Sequence, residues 1–333
     1  MIRVLALLSV ITLLFCSGCE KNEPVAQQND EKLSTYNQAS DLLDKGELQQ
    51  AKELFVQLGD YKDSAERVAR FVLLPTRIYA EDDGMGDKIV HYQTDFIYNE
   101  HGELIKEVGT YTDTEGPEHS KEFTYDESGK VINARMLSEA GESHISYEYN
   151  EKGQLVKFVG FTEGCDLGGI TIFTYDEKGN CITVETSSYM GTDVSKYETS
   201  EPYSIDRNNY TYNEKGLCVK KSSDTNSLSK YTAEYNSFDL PTKVVYDSGE
   251  GFISENLFSY DEQGRCLKIE TPNETKSFTY EQGDLPVSAV FTRSGGKPCN
   301  ITYTYQLYYT REKQKSIPFH IYEFSNDLDY KNN

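Results

Sequence analysis

The chain has 333 residues, with 33 Lys and Arg against 55 Asp and Glu and a formal charge of −22. That balance excludes a broad basic surface able to grip phosphate backbones, so nucleic acid is not an expected partner. Tyr (26) outnumbers Phe (15), Trp is absent and 37% of residues are hydrophobic, which suits half-wet β-strands better than a thick dry core.

Residues 1–18 have the order of a secretory leader: Arg3, an apolar run from Val4 to Phe15, then the small pair Ser17-Gly18 before Cys19. The run is shorter than the roughly 20 apolar residues of a membrane-crossing helix. Cys16-Ser-Gly-Cys19 resembles a bacterial lipobox, with Cys16 in the slot where Leu is usual. The resemblance implies lipid attachment at Cys19 and an extracytoplasmic chain anchored to the bacterial cell membrane. Each buried CH2 of the acyl chains would contribute about 0.8 kcal/mol. The alternative is plain secretion, with Cys19 an ordinary thiol. Residues 19–32 are polar and read as a flexible acidic tether.

Helical spacing follows over 33–74. Ala39, Leu42 and Leu43, then Ala51, Leu54, Phe55 and Leu58, recur three and four residues apart, with Gly46 between the two runs. The pattern predicts antiparallel helices over 33–45 and 48–58, a third over 62–73, and an end at Pro75. The stretch from Gly46 to Phe55 resembles the centre of a tetratricopeptide repeat, where a small Ala lets helices approach and an aromatic four residues later fills the groove. A single repeat cannot bury its own face, so this module either docks on its neighbour, binds a partner or is a spacer.

From 78 to 325 one sentence recurs. Its copies are Phe96-Ile-Tyr98-Asn-Glu-His-Gly102, Phe123-Thr-Tyr125-Asp-Glu-Ser-Gly129, Tyr147-Glu-Tyr149-Asn-Glu-Lys-Gly153, Phe173-Thr-Tyr175-Asp-Glu-Lys-Gly179, Tyr210-Thr-Tyr212-Asn-Glu-Lys-Gly216 and Phe258-Ser-Tyr260-Asp-Glu-Gln-Gly264. Degenerate copies start at Tyr235 and Tyr280, and Tyr303-Thr-Tyr305 reads as a closing half-copy. Aromatics two apart share a strand face. The Asn or Asp opens a type I turn, and the Gly takes a left-handed conformation, a slot given to Asp239 and Asp284 in the degenerate copies. That register sets each Tyr opposite the residue six later: Leu104, Val131, Leu155, Cys181, Cys218, Pro241, Cys266 and Pro286. The next residue (Ile105, Ile132, Val156 and their equivalents) is expected on the other face, making both faces partly apolar.

The recurrence resembles the YD-repeat, or rearrangement-hotspot, family, with Tyr260-Asp-Glu-Gln-Gly264-Arg-Cys266-Leu the nearest copy to its core motif. The resemblance implies a mainly β chain: an antiparallel β-hairpin repeat strip, curled or superhelical, preceded by a small α-helical tetratricopeptide-like module. A compact barrel or sandwich is the alternative. Large members of the family enclose a toxic C-terminal payload; here residues 316–333 are too short for an enzyme, and 326–333 are expected to be a disordered tail.

Signals of chemistry are sparse. Cys181, Cys218 and Cys266 share one repeated slot, whose equivalents in neighbouring hairpins lie near 9.5 Å apart by strand spacing, beyond the roughly 7 Å reach of a disulfide. They read as small core residues, while Cys165 and Cys299 are left open. The five His (91, 101, 119, 144, 320) are scattered, and no zinc spacing, nucleophile elbow or phosphate loop occurs. The acidic segment Glu81–Asp87 reads as a solvated turn rather than a calcium loop. No catalytic residue, cofactor or metal is therefore expected, and the chain is not expected to be an enzyme. The expected function is a lipid-anchored surface scaffold with a protein or glycan partner, met through exposed Tyr189, Tyr197 and Tyr203. The alternatives are an envelope assembly factor acting through the helical module, or an accessory relic of a repeat-borne toxin system.

Overall fold

The computed structural model describes residues 25–82, 90–112, 119–138, 141–164, 166–224, 230–281 and 283–311. The leader, Cys19, Cys165, most of the acidic turn, His320 and the tail lie outside the described residues. The chain divides into two units, Met1–Val68 and Ala69–Asn333.

The first unit holds helices α1 (Val25–Asp44), α2 (Leu48–Leu58) and α3 (Ser64–Val68). Gly46, at φ 77°, ends α1 as expected. Its N–H donates to the Leu43 carbonyl, and that of Glu47 to Leu42. Ala39, Ala51 and Phe55 are fully buried, so the small residues do let the helices meet around the aromatic ring. Tyr36 packs edge-on to Phe55 at 5.8 Å and donates to the Asp63 carboxylate, which also accepts from Arg67 Nε at 2.9 Å. Two expectations are corrected. Helix α1 begins at Val25, inside the segment read as tether, because its Gln, Glu, Lys and Ala are good helix formers continuous with an anchored helix. Helix α3 stops at Val68, and the chain is a strand from Phe71 through Pro75.

The second unit comprises β1 (Phe71–Asp82), β2 (Val90–Tyr98), β3 (Leu104–Tyr111), β4 (His119–Tyr125), β5 (Val131–Ser138), β6 (Gly141–Tyr149), β7 (Leu155–Thr162), β8 (Leu167–Tyr175) and β9 (Cys181–Met190). It continues with β10 (Ser204–Tyr212), β11 (Cys218–Ser223), β12 (Lys230–Tyr235), β13 (Pro241–Asp247), β14 (Ile253–Tyr260), β15 (Cys266–Glu270), β16 (Glu274–Thr279), β17 (Ser288–Arg293) and β18 (Cys299–Tyr309). Each strand pairs antiparallel with the next, and β18 pairs with β1 from Phe71↔Tyr309 to Ala80↔Ile301. The 18 strands therefore form a closed barrel, not a curled strip.

The closing element is β1, although the helical spacing predicts a helix as far as residue 73 and an end at Pro75. Pro75 stands opposite Tyr305, next to a register shift between Pro75 and Arg77, and a bulge is where a sheet tolerates a residue without an N–H. The half-copy at Tyr303–Tyr305 is thus completed by the first strand of the unit. The seam is reinforced by Arg70, whose Nε donates to the Thr310 carbonyl at 2.7 Å and whose guanidinium lies 4.3 Å from the Tyr309 ring centroid.

The hairpin register is as expected: Tyr98↔Leu104, Tyr125↔Val131, Tyr149↔Leu155, Tyr175↔Cys181, Tyr212↔Cys218, Tyr235↔Pro241 and Tyr260↔Cys266. Asn99 Oδ1 accepts the N–H groups of His101 and Glu103, and Gly102 sits at φ 74°. Asp239 adopts φ 61° in the Gly slot, whereas in the eighth copy the positive φ falls on Gly283 and not on Asp284. A further irregularity was not foreseen: the ladder shifts beside each of these tyrosines, so that Ile97 pairs with Lys106 and Ile105 has no partner position of its own. Bulges bend and twist the strand that carries them, and their repetition supplies the curvature that closure needs.

Candidate functional site

The tyrosines carry more than rings. Tyr125 Oη donates to the carbonyl of Leu104, the residue opposite the key tyrosine of the preceding hairpin, at 2.7 Å. The same bond joins Tyr149 to Val131, Tyr175 to Leu155, Tyr212 to Cys181 and Tyr235 to Cys218. It joins Tyr260 to Pro241, Tyr280 to Cys266, Tyr305 to Pro286 and, across the seam, Tyr98 to Pro75. Nine hydroxyls thereby form an unbroken belt around the barrel near the hairpin tips. Backbone pairing between neighbouring hairpins stops short of these carbonyls; β3 and β4, for example, pair only from Lys106↔Glu122 to Gly109↔His119. Each phenol supplies the donor the ladder no longer provides. Burial pushes the hydroxyls of Tyr125, Tyr175 and Tyr235 up to about 12 and raises Tyr149, Tyr212, Tyr260 and Tyr280 as well, so they remain protonated donors at neutral pH.

The sequence itself carries a signal for this belt. The first aromatic position varies among Phe96, Tyr147 and Ala233, whereas the second is Tyr in every copy. Packing alone accepts Phe there; a hydroxyl requirement does not.

On the belt's face the next layer is the core. Phe173, Val184 and Cys181 join Leu155 in one cluster, and Cys266, Ile269, Phe278, Ala289 and Ile301 form another. Cys181, Cys218, Cys266 and Cys299 form no disulfide among the described residues; Cys181 and Cys266 are buried like small core residues, whereas Cys218, in the same repeated slot, is only half-buried. The other face carries cross-strand charge pairs, including Lys106–Glu122 at 2.8 Å, Arg135–Glu142 and Arg207–Glu185. Such exposed pairs each contribute little to stability. They also interrupt any apolar band on that face, while Lys121, Lys221, Lys276 and Arg293 interrupt the belt's face. A lipid-spanning barrel needs an uninterrupted outer band.

Of the tyrosines expected in exposed returns, only Tyr203 is so placed, at 76% exposure. Tyr197 is 2% exposed and stacks on Tyr189 at 4.7 Å with an interplanar angle of 3°. Its hydroxyl donates to Gly191, and Gly168 leaves room for it, since a Cβ there would lie 1.8 Å from Tyr197 Oη. The return from β9 to β10 is therefore a packed strap. At or beside the strand ends away from the hairpin tips, Leu167, Met190, Tyr203, Phe252 and Ile253 are exposed; Phe238 in one tip and Ile97, Ile105 and Leu267 beside others are exposed as well. Among the described residues no helix is long and apolar enough to cross a membrane and no cluster of metal-ligating side chains occurs.

Residues 86–250 match the family model described as the teneurin YD-shell. No curated protein matches the chain. Among solved structures, that of TcdB2-TccC3-Cdc42 is similar with a TM-score of 0.31 and 12% identity, over 68% of this chain and 14% of that one. A porin-like protein from Bacteroides uniformis is similar with a TM-score of 0.41 and 13% identity, over 70% of this chain and 96% of that one. The chain spans about a seventh of the length of the TcdB2-TccC3 chain it matches. The repeated Tyr-Asn/Asp-x-x-Gly hairpin, its uniform register and the family-model match identify the chain as a YD-repeat β protein.

Proposed function

We propose that this protein is a non-catalytic scaffold held on the outside of the bacterial membrane by a lipid on Cys19, with the barrel presenting a binding rim to a protein or glycan. The observation that supports a scaffold is the belt itself. Eighteen strands are closed without a free sheet edge, which removes the usual site of strand-to-strand aggregation in an exported β protein. The binding rim is the end opposite the hairpin tips, where returns differ in length and sequence and expose Leu167, Met190, Tyr203, Phe252 and Ile253. Anchoring rests on the leader and the Cys16–Cys19 motif of the sequence.

The test has two arms. Metabolic labelling with an alkyne fatty acid should mark the wild-type protein and leave Cys19→Ser unlabelled and released from the membrane fraction. Tyr203→Ser with Phe252→Ser should reduce binding of the cells to protein or glycan arrays without changing the amount displayed. Equal labelling of Cys19→Ser refutes the anchor, and unchanged binding refutes the rim.

A further inference from the structure

The strap between β9 and β10 is joined to the sheet by very little of itself. From Thr192 to Tyr203 the buried side chain is Tyr197, and the others are half-buried or exposed. Tyr197 enters the face away from the belt over Gly168, whose register neighbours are Phe161 on β7 and Tyr189 on β9. The Tyr189 ring forms one wall of the seat, and Ile170 and Val159 pack beside it. The Tyr197 hydroxyl donates to the Gly191 carbonyl at 2.6 Å. That acceptor is pinned to the sheet end, because the Gly191 N–H bonds to the Asp166 carbonyl, while at the far end of the strap the Tyr203 N–H bonds to Ser188. One residue after the tyrosine, the Glu198 carboxylate meets Lys157 Nζ of β7 at 2.5 Å.

The occupant defines the chemistry of this slot: an aromatic wall and a glycine floor for a ring, a backbone carbonyl for its hydroxyl, and a lysine for the carboxylate that follows. We propose that the slot binds a partner polypeptide through a tyrosine followed by an acidic residue, and that the strap is the chain's own copy of that ligand, closing the slot until the partner displaces it. Release costs little at its polar contact, since Glu198 is 67% exposed in its pair with Lys157 and such pairs are weak. Gly191, at φ 95° with open space around it, gives the strap a hinge that leaves the carbonyl acceptor in place. A partner must compete with a tethered ligand, so its affinity for the intact chain is reduced to the extent that the slot is closed. This binding site stands independently of the lipid anchor and of the rim.

The probe is the fluorescently labelled peptide Val-Ser-Lys-Tyr-Glu-Thr, the strap's own sequence from Val194 to Thr199. It is offered to the full chain carrying Tyr197→Ala and Glu198→Ala, which empties the slot. Fluorescence polarisation should show saturable binding at least about tenfold tighter than to wild type, whose strap competes. Phe in place of the peptide's Tyr should weaken binding about 2- to 10-fold, the worth of one hydrogen bond. Adding Gly168→Ala to the emptied chain should abolish binding, because a Cβ there lies 1.8 Å from the hydroxyl's seat. In wild type, p-cresol should displace Tyr197 and speed trypsin cleavage after Lys196 in the strap, leaving cleavage after Lys152 in a hairpin tip unchanged. Absence of peptide binding to a folded, emptied chain overturns the proposal, as does equal binding of a peptide with Ala for Tyr. Should the emptied chain fail to fold, the wild-type measurement decides alone: cleavage after Lys196 that p-cresol leaves unchanged, or raises no more than cleavage after Lys152, overturns it.

Discussion

Replacing Tyr175 by Phe removes one oxygen from the belt and leaves the ring in place. The lost bond runs to the carbonyl of Leu155 at 2.7 Å, inside a cluster with Phe173, Cys181 and Val184. A net hydrogen bond contributes about 0.5–1.5 kcal/mol, and leaving its acceptor buried without a partner costs about 1–3 kcal/mol. We expect a loss of about 2 kcal/mol, read as a lower urea midpoint at unchanged m-value. For a barrel of this size that corresponds to a fall in Tm of roughly 4–8 °C. Tyr246→Phe, at a tyrosine 41% exposed and outside the belt, should stay within about 0.5 kcal/mol of wild type. Tyr212 donates to Cys181, which stands opposite Tyr175, so Tyr175→Phe/Tyr212→Phe should deviate from additivity by more than about 0.5 kcal/mol. If Tyr175→Phe is as mild as Tyr246→Phe, the belt hydroxyls are not structural donors and the reasoning fails.

The raised phenols make the barrel sensitive to alkali. Native Tyr125, Tyr175 and Tyr235 hold their protons up to about 12, while in the unfolded chain tyrosine titrates near 10. Between those values the native state binds more protons, so stability is complete below pH 10 and falls as pH rises toward 12; urea midpoints at pH 8 and pH 11 should show the drop. Burial also pushes the Cys181 thiol up to about 11, so Cys181 and the buried Cys266 should resist Ellman's reagent until the chain is unfolded, with half-buried Cys218 reacting first. Gly179→Ala places a Cβ at φ 86° and should destabilise the barrel by about 1 kcal/mol in the same urea assay.

Most of the barrel was legible because its information is local. The turn Asn or Asp, the Gly four residues after each Tyr and the register six residues on all follow from one hairpin's chemistry, and Tyr98↔Leu104 through Tyr260↔Cys266 follow that register. Closure was not legible, because it depends on a contact between Phe71–Ala80 and Ile301–Tyr309, more than two hundred residues apart. Pro75 deepened the error, since a proline after a helical run reads as its end and only the bulge opposite Tyr305 shows why a strand accepts it. The belt failed to emerge for another reason: its acceptor is a backbone carbonyl, which no side-chain pattern marks. Tyr189 and Tyr197 were misplaced because loop position alone implies exposure, and the space left by Gly168 that lets Tyr197 lie flat is visible only in three dimensions.

The barrel closes only if β1 seals the ring against β18, and a disulfide across that seam tests this most directly. Tyr79 and Thr302 are register partners, and directly opposed antiparallel residues have Cα atoms about 4.5–5.5 Å apart, within disulfide reach. Tyr79→Cys with Thr302→Cys in the full chain should form that bond under mild oxidation, seen as one cross-linked peptide in high yield. An open ribbon would hold the two positions at opposite ends, and recovery of both peptides unlinked would contradict the closed barrel.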